Sequence, residues 1–253
     1  MINYRGSAGY GLKSLNSLLG NIGINDVEDC GNLTKMALEK YPDLIDERKV
    51  GVTGGSHGGF LSGHLIGSLA FRDLYGAASV RNPVFDMNYM LAATDIPDWI
   101  YACSKNEEIN FARPTAEDKA LLYERSPIST VSNVKTPLML LIGDADLRVP
   151  PHQSYYYHTA LIQRGIDTKL YKYPGSSHPL MEIVEHTFDA WLNTGLWMDK
   201  YLVEPYLDEV SNLTGVQLVF KSVREKLGPS SALLLFYSLP KCEQKLSDEG
   251  IET

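Results

Sequence analysis

Residues 50–60, VGVTGGSHGGF, decide the fold that this sequence predicts. The β-branched start of the stretch is typical of a strand, and apolar residues recur at helical spacing from 60 to 69. Between the two lies Gly54-x-Ser56-x-Gly58, the pattern of a nucleophile elbow, in which a tight turn lifts a serine hydroxyl above the sheet and only glycine fits beside it. Ser56 is therefore a candidate nucleophile. The alternative is a glycine-rich loop that contains a structural serine.

The composition is that of an ordinary globular protein. The 253 residues are 44% hydrophobic, which is enough for one domain of about 200 residues and an appendage. Net charge is −8 without a basic cluster, which argues against nucleic acid or an anionic membrane as the main partner. The 3 cysteines form neither a disulfide framework nor a zinc pattern, and the first residues lack an apolar signal core. These features predict a cytoplasmic location.

Strands and helices alternate along most of the chain, which is typical of a parallel sheet covered by helices. Periodicity predicts strands at 49–53, 77–80, 137–142 and 168–173, and helices at 26–41, 57–69, 152–164 and 181–197. Residues 82–136 contain several prolines, and we predict an insertion there that shapes a pocket and holds one helix, between 105 and 125. No further β/α unit is predicted after 203. We therefore expect one α/β domain at 1–203 and a C-terminal appendage at 204–253.

Acidic and histidine side chains follow the later strands where those strands end. Asp144 and Asp146 come after the third predicted strand, and His178 comes after the fourth. Because the carboxyl ends of parallel strands meet at one edge of a sheet, these groups are expected close to Ser56. A serine hydroxyl needs a base to become a nucleophile, neutral histidine suits that task near pH 7, and a carboxylate fixes the histidine tautomer. The spacing does not decide between Asp144 and Asp146.

Five other histidines compete with His178 for the role of base. His57 adjoins the candidate nucleophile, with its side chain expected to turn away from it. The other four fall on predicted helices, where packing or surface roles are simpler: His64, His152, His158 and His186. His57 and His64 also lack the spacing of a two-histidine metal site on a helix. We therefore predict no metal site.

Several short motifs together resemble one known family. They are NYRGS at 3–7, GNIG at 20–23, GGSHGGF at 54–60, RNP at 81–83, TDIPDW at 94–99, SPI at 126–128, KTPL at 135–138 and DLRVP at 146–150. Over roughly residues 2–200 the chain resembles the catalytic domain of the prolyl oligopeptidase family of serine peptidases, most closely its acylaminoacyl-peptidase branch. The elbow with histidine after serine and the motif at 94–99 carry the resemblance to that branch.

The resemblance implies an α/β-hydrolase fold, with a mostly parallel sheet and helices on both faces. It selects Asp146 as the triad acid, because that residue lies two positions before Arg148, and it makes His178 the base. It also implies that the backbone N–H of His57 is an oxyanion donor and that Arg148 and Trp99 contact the substrate. Such enzymes release an N-acylated amino acid from the blocked end of a short peptide through an acyl-enzyme, without metal or cofactor.

Other functions stay open at this point. A general esterase or a dipeptidyl-peptidase-like member of the family would use the same three residues. A catalytically silent fragment that binds other chains is a further alternative, which the presence of all three residue types, Ser56, Asp146 and His178, argues against. A homo-oligomer is also possible.

The resemblance places two further parts of such enzymes upstream of Met1. One is a β-propeller that admits only short peptides, and the other is a His-Gly-Gly-Pro loop that supplies a second oxyanion donor. The strand before that loop would lie between Ile2–Tyr4, expected to be the end of a strand, and the strand that leads to Ser56. We therefore expect an N-terminally truncated sheet with an exposed edge beside the elbow strand, and a chain of low stability.

Overall fold

The computed structural model describes residues 1–108, 114–203, 205 and 233–237. Its strands are β1 Val50–Gly55, β2 Ala77–Arg81, β3 Leu138–Gly143, β4 Thr168–Tyr173 and β5 Leu233–Tyr237. Its α-helices are α1 Leu12–Asn16, α2 Asn25–Lys40, α3 His57–Gly67, α4 Met87–Ala93, α5 Pro97–Lys105, α6 Ala116–Glu124, α7 His152–Gln163 and α8 Val184–Leu202. Short 3-10 helices occupy Glu47–Lys49, Arg72–Leu74 and Pro127–Asn133.

The strands form one parallel sheet in the order β4-β3-β2-β1-β5. Every residue of β3 is buried, as expected for a strand that is covered on both faces. Helix α3 packs on one face of β1 and β2, and α8 packs on the other face. In the middle of the sheet Ser79 lies opposite Thr53 on one side and Met139 on the other. The predicted α/β-hydrolase architecture is confirmed, and the carboxyl ends of four strands converge at one edge.

Helix α2 covers α3 with an apolar face that recurs at helical spacing. Val27, Cys30, Gly31 and Thr34 are buried, and the missing side chain of Gly31 is needed because a Cβ there would lie 2.5 Å from the Phe71 ring. The helix was predicted from residue 26 to 41 and lies one residue earlier, at Asn25–Lys40. Its cap position is residue 24, which makes no side-chain capping bond, and residue 25 is already helical.

The insertion is more helical than predicted, since three helices, α4, α5 and α6, replace the single one expected. Each of them is short and has its own start signal. The Asp86 carboxylate accepts from two backbone N–H groups at the start of α4, Pro97 opens α5, and Thr115 and Asp118 form a capping box at α6. Helices of 7 to 9 residues are too short to show a clear apolar periodicity, whereas the residues that cap them can be identified in the sequence.

The largest difference from expectation lies beside β1. The sequence analysis gave residues after 203 no place in the sheet, yet Leu233–Tyr237 pairs in parallel with β1 over its first five residues. The expected exposed edge is therefore wrong, and the low stability inferred from it loses its cause. Ile2–Tyr4 is not a strand either. Apart from 205 and 233–237, the predicted appendage at 204–253 lies outside the residues that the structure describes, and its boundary stays a prediction.

Candidate active site

The turn that follows β1 has the backbone geometry of a nucleophile elbow. Ser56 has φ 56° and ψ −120°, a sparsely populated region that costs about 1 to 3 kcal/mol and persists where the surroundings enforce it. A Cβ on Gly54 would lie 2.3 Å from the Gly58 carbonyl, and one on Gly59 would lie 2.5 Å from Pro83. Gly54 and Gly59 are thus required because no side chain fits at either position. Helix α3 begins directly after the turn, as the motif predicts.

Asp146 and His178 come together at the carboxyl ends of β3 and β4. The His178 Nδ1 lies 2.7 Å from Asp146 Oδ2, and the other carboxylate oxygen accepts the backbone N–H groups of Arg148 and Val149 at 2.9 and 2.8 Å. Asp146 is only 3% exposed. With both oxygens occupied, the carboxylate cannot rotate away from the imidazole, so the histidine is held in the tautomer that carries its proton on Nδ1.

The second nitrogen of this histidine is available. The Nε2 of His178 is buried and has no hydrogen-bond partner among the described residues, the Ser56 hydroxyl included. Ser56 itself is 9% exposed and directly follows the carboxyl end of β1. In structures without substrate, hydrogen bonds between a nucleophile and its base are often long, so the missing bond does not argue against the pairing of Ser56 with His178. The arrangement can accept a proton at Nε2.

Asp144 lies on the same loop as Asp146 but faces elsewhere. One of its oxygens accepts the Gly175 N–H at 2.6 Å, and the other lies 3.3 Å from the Lys172 ammonium. The Gly175 N–H and the nearby lysine hold the pKa of Asp144 below its ordinary value. Of the two carboxylates that spacing left open, only Asp146 contacts His178.

The side chain of His57 does turn away from the nucleophile, into a buried polar network. Its Nδ1 lies 3.0 Å from the Tyr4 hydroxyl, and its Nε2 lies 3.0 Å from Asp26 Oδ2. Asp26 is fully buried, and its other oxygen accepts the Val27 N–H at 3.0 Å. The backbone N–H of His57 stands at the first position of α3, where no carbonyl lies one turn earlier in the helix. It is placed as an oxyanion donor would be.

Sequence reasoning missed Tyr4 and Asp26. Tyr4 lies within the quoted NYRGS motif without a role of its own, and Asp26 opens a predicted helix, where an acidic residue suits the helix dipole. The sequence contains one indirect signal for them. A histidine that is expected next to a nucleophile and inside the core needs hydrogen-bond partners for both of its ring nitrogens. The sequence does not say which residues supply them, because Asp26 is 31 positions from His57.

Of the two residues predicted to contact substrate, Trp99 lies beside His57 and Arg148 lies on the loop that carries Asp146. The ring of Trp99 is half-buried and meets the His57 ring edge-on, with centroids 6.3 Å apart. Arg148 donates from Nε to Asp95 at 2.7 Å, and the two backbones are tied where Asp95 N–H donates to the Leu147 carbonyl. The TDIPDW motif therefore packs against the loop that carries Asp146.

Two of the remaining histidines have hydrogen-bond partners, and two have pKa values lowered by burial. The Nε2–H of His64 donates to the Arg125 carbonyl at 3.0 Å, and burial lowers the pKa of His64 to about 4, so the ring is neutral near pH 7. His186 Nδ1 bonds the Ser176 hydroxyl at 2.7 Å, and burial lowers the pKa of His158. Within the described ranges no group of three or more His, Cys, Asp or Glu is arranged to hold a metal ion. In that same part of the chain no helix is long and apolar enough to cross a membrane.

The sheet and its elbow place the chain among the α/β-hydrolases. Within that class it belongs to the prolyl oligopeptidase family, whose family model matches residues 1–202. The resemblance drawn from the motifs is confirmed. The chain is 41% identical over 202 residues to the acylamino-acid-releasing enzyme of Arabidopsis thaliana, and 40% identical over 205 residues to that of Homo sapiens.

These alignments cover 79% and 80% of this chain but only 26% and 27% of the two relatives. The chain thus spans about a quarter of the length of the curated relatives it matches. The solved structure of Pyrococcus horikoshii acylaminoacyl peptidase is similar in fold, with a TM-score of 0.70 at 22% identity over 80% of this chain and 32% of that one.

Proposed function

We propose that this chain carries the reacting groups of a serine exopeptidase that releases an N-acylated amino acid from the blocked end of a short peptide. The observation that carries the proposal is the contact of 2.7 Å between Asp146 and His178 beside an elbow serine, with Nε2 of the histidine unpartnered among the described residues. Similarity to acylamino-acid-releasing enzymes over most of the chain supports the substrate class.

The chemistry follows from the positions of the side chains. As Ser56 Oγ attacks the scissile carbonyl, His178 Nε2 takes its proton and later gives that proton to the leaving amine. The Asp146 carboxylate stabilises the imidazolium that forms in between. The resulting acyl-enzyme, in which the N-acylated amino acid is esterified to Ser56, is hydrolysed by a water that the same histidine deprotonates. No metal or cofactor has a step in this scheme.

Negative charge that develops on the substrate carbonyl oxygen needs preorganised donors. The N–H of His57 is the donor that this chain offers, and its side-chain network fixes the orientation of that peptide group. Trp99 is proposed to line the acyl group beside the elbow. Arg148, tied to Asp95 next to the triad acid, is proposed to contact the peptide part of the substrate.

Labelling by a fluorophosphonate probe tests the nucleophile, because such probes react with activated serines. The unaltered chain is expected to be labelled and Ser56→Ala is expected not to be. Ser132→Ala, at an exposed serine away from the sheet edge, is the matched control and should label normally. Labelling that persists in Ser56→Ala, or that fails in the unaltered folded chain, contradicts the proposal.

Substrate class is tested by comparing three reporters on the same preparation: an acetyl-alanyl amide, a dipeptidyl amide with a free amino end, and a simple ester. Preference for the acetyl-alanyl amide supports the exopeptidase proposed here. Preference for the dipeptidyl amide indicates a dipeptidyl-peptidase-like enzyme, and turnover of the ester alone indicates an esterase. A cytoplasmic location and a homo-oligomeric state belong to the same proposal, and native mass measurement tests the latter.

A further inference from the structure

Asn82 occupies an unusual position at the end of β2. It is 2% exposed, and its backbone is left-handed, with φ 40°. Asparagine tolerates this region better than most residues, because its short side chain can form local hydrogen bonds. Its own N–H donates to the Leu141 carbonyl at 3.0 Å, so the residue is fixed to β3 through its backbone as well. Nothing in the proposed reaction yet uses it.

The amide side chain of Asn82 joins the two loops that carry the acid and the base. Its Oδ1 accepts the Gly143 N–H at 2.8 Å, at the end of the strand that leads to Asp146. Its Nδ2 donates to the His178 carbonyl at 2.8 Å and to the Ser177 carbonyl at 3.3 Å. Because an N–H and two carbonyls meet the two ends of the amide, its orientation is determined by its partners.

The two loops also touch directly beside this amide. A Cβ on Gly143 would lie 2.5 Å from the Ser176 carbonyl oxygen and 2.8 Å from that of Ser177, so the loop before His178 rests on a position that must be glycine. Ala145 N–H donates to the Ser176 carbonyl at 3.1 Å. The acid loop and the base loop are therefore held together by the Gly143 contact, by the backbone bond of Ala145, by the bond from the Gly175 N–H to Asp144 and by the Asn82 amide.

The same short segment holds the elbow from the other side. Arg81, directly before Asn82, accepts the Ser56 N–H at 2.9 Å, and Val84 donates its N–H to the Ser56 carbonyl at 3.4 Å. Residues 81–84 thus contact the nucleophile through their backbone while the Asn82 side chain contacts the loop of the base. Within the described part of the chain, it is the one segment that forms hydrogen bonds both to Ser56 and to the loop of His178.

We propose that Asn82 is a positioning residue that sets the distance between His178 Nε2 and Ser56 Oγ. The inference rests on the proposed function. Asp146 fixes the rotation of the His178 ring, whereas Asn82 fixes the backbone from which the ring projects. A misplacement of about 1 Å between reacting groups costs about a hundredfold in rate, so removal of the amide is expected to act on reactivity more than on folding.

Two substitutions separate the amide from the backbone it sits on. Asn82→Gly keeps a residue that accepts left-handed φ and removes the side chain. Asn82→Asp keeps the size and the acceptor for Gly143, but places an oxygen against the two carbonyls of the base loop. Asn106→Gly and Asn106→Asp are matched controls, because Asn106 has φ 57° and is exposed at the end of α5.

Three measurements are made on the whole 253-residue chain: the rate of labelling by a fluorophosphonate, the far-downfield proton NMR signal of the Nδ1–H shared by His178 and Asp146, and urea unfolding. We expect both Asn82 variants to label at least about thirtyfold more slowly than the matching Asn106 variants, with the downfield signal moved or lost and cooperative unfolding retained. Labelling within threefold of the controls overturns the proposal. Loss of cooperative unfolding in both Asn82 variants also overturns it, since the residue would then be merely structural.

The NMR signal makes failure of this inference distinguishable from failure of the proposed function. If the unaltered chain is not labelled at Ser56, the proposed function fails, yet the downfield signal still reports the geometry of the acid and base loops. A signal that moves in the Asn82 variants but not in the Asn106 variants then supports the positioning role. A signal that is the same in all of them rejects it.

Discussion

Two histidine–aspartate pairs lie near the elbow, and in only one of them does the histidine keep a ring nitrogen without a partner among the described residues. His178 contacts Asp146 at 2.7 Å, and His57 contacts Asp26 at 3.0 Å. Both carboxylates are buried, and both accept a backbone N–H from residues that follow them in the chain. Judged by the pair alone, the two sites are nearly the same.

The difference lies in the second ring nitrogen. That of His178 has no partner among the described residues, whereas that of His57 lies 3.0 Å from the Tyr4 hydroxyl. A neutral imidazole donates through one nitrogen and accepts through the other, so a ring that is satisfied on both sides has no site left for a substrate proton. A histidine–aspartate contact by itself only holds the ring in place, and the unoccupied Nε2 is what allows His178 to accept a proton in the proposed reaction.

Asp146→Asn should give the largest effect within this comparison. The amide can present an N–H to His178 Nδ1 and so favour the wrong tautomer, which leaves no acceptor at Nε2, and turnover is expected to fall by about four orders of magnitude. The kcat for an acetyl-alanyl reporter measures it, with urea unfolding as the check on folding. A fall of less than tenfold would mean that this pair, like the other, only holds its histidine.

Asp26→Asn should affect stability more than turnover, which is the opposite of the expectation for Asp146→Asn. The substitution removes the charge that faces His57 in a fully buried site, and the unfolding free energy is expected to fall by about 1 to 3 kcal/mol. The kcat of the folded fraction should change far less than with Asp146→Asn, because His57 contributes its backbone N–H and not its ring. Urea unfolding and kcat are measured side by side. A kcat loss as large as that of Asp146→Asn would give this pair a role in proton transfer.

The two pairs also differ in how far the sequence revealed them. Ser56, Asp146 and His178 each follow a strand, and parallel strands end at one edge, so their convergence was predictable from alternation alone. Spacing did not separate Asp146 from Asp144, because that choice depends on the turn in which Asp146 accepts the N–H groups of Arg148 and Val149. The resemblance supplied it.

The other pair escaped prediction because its members meet only through tertiary packing. Asp26 suits the start of a helix in any sequence, and its burial follows from His57, which the chain brings in much later. Strand β5 escaped for a related reason. A short apolar run such as 233–237 has no alternation to distinguish a strand from a buried helix, and its partner β1 is about 180 residues away.

Tyr4→Phe sharpens the comparison by freeing the second nitrogen of His57. The ring keeps Asp26 but loses the hydroxyl at Nδ1, so a buried acceptor is left unpaired, at a cost of about 1 kcal/mol or somewhat more. Turnover should change by less than about threefold, since a free nitrogen that does not face Ser56 cannot act as its base. Tyr10→Phe is the matched control, because its hydroxyl accepts from Asn3 at an exposed site. A large fall in kcat would mean that the Tyr4 hydroxyl is needed to orient the backbone N–H of His57, the proposed oxyanion donor.

Asp144→Asn should have the smallest effect on turnover, because its carboxylate contacts neither histidine. We expect kcat to stay within about threefold of the unaltered chain, in line with the small contribution of exposed ion pairs.

The same substitution should change how stability depends on pH. The Gly175 N–H, and after it Lys172, lowers the pKa of Asp144 in the folded state, so its charged form stabilises the fold above the unfolded pKa and this contribution is lost as pH falls through the folded value. The variant lacks that contribution at every pH, and its unfolding midpoint should therefore vary less between neutral and acidic pH than that of the unaltered chain. Urea unfolding at several pH values measures the difference. A kcat loss comparable to that of Asp146→Asn would mean that the proposed assignment of Asp146, and not Asp144, as the acid is wrong.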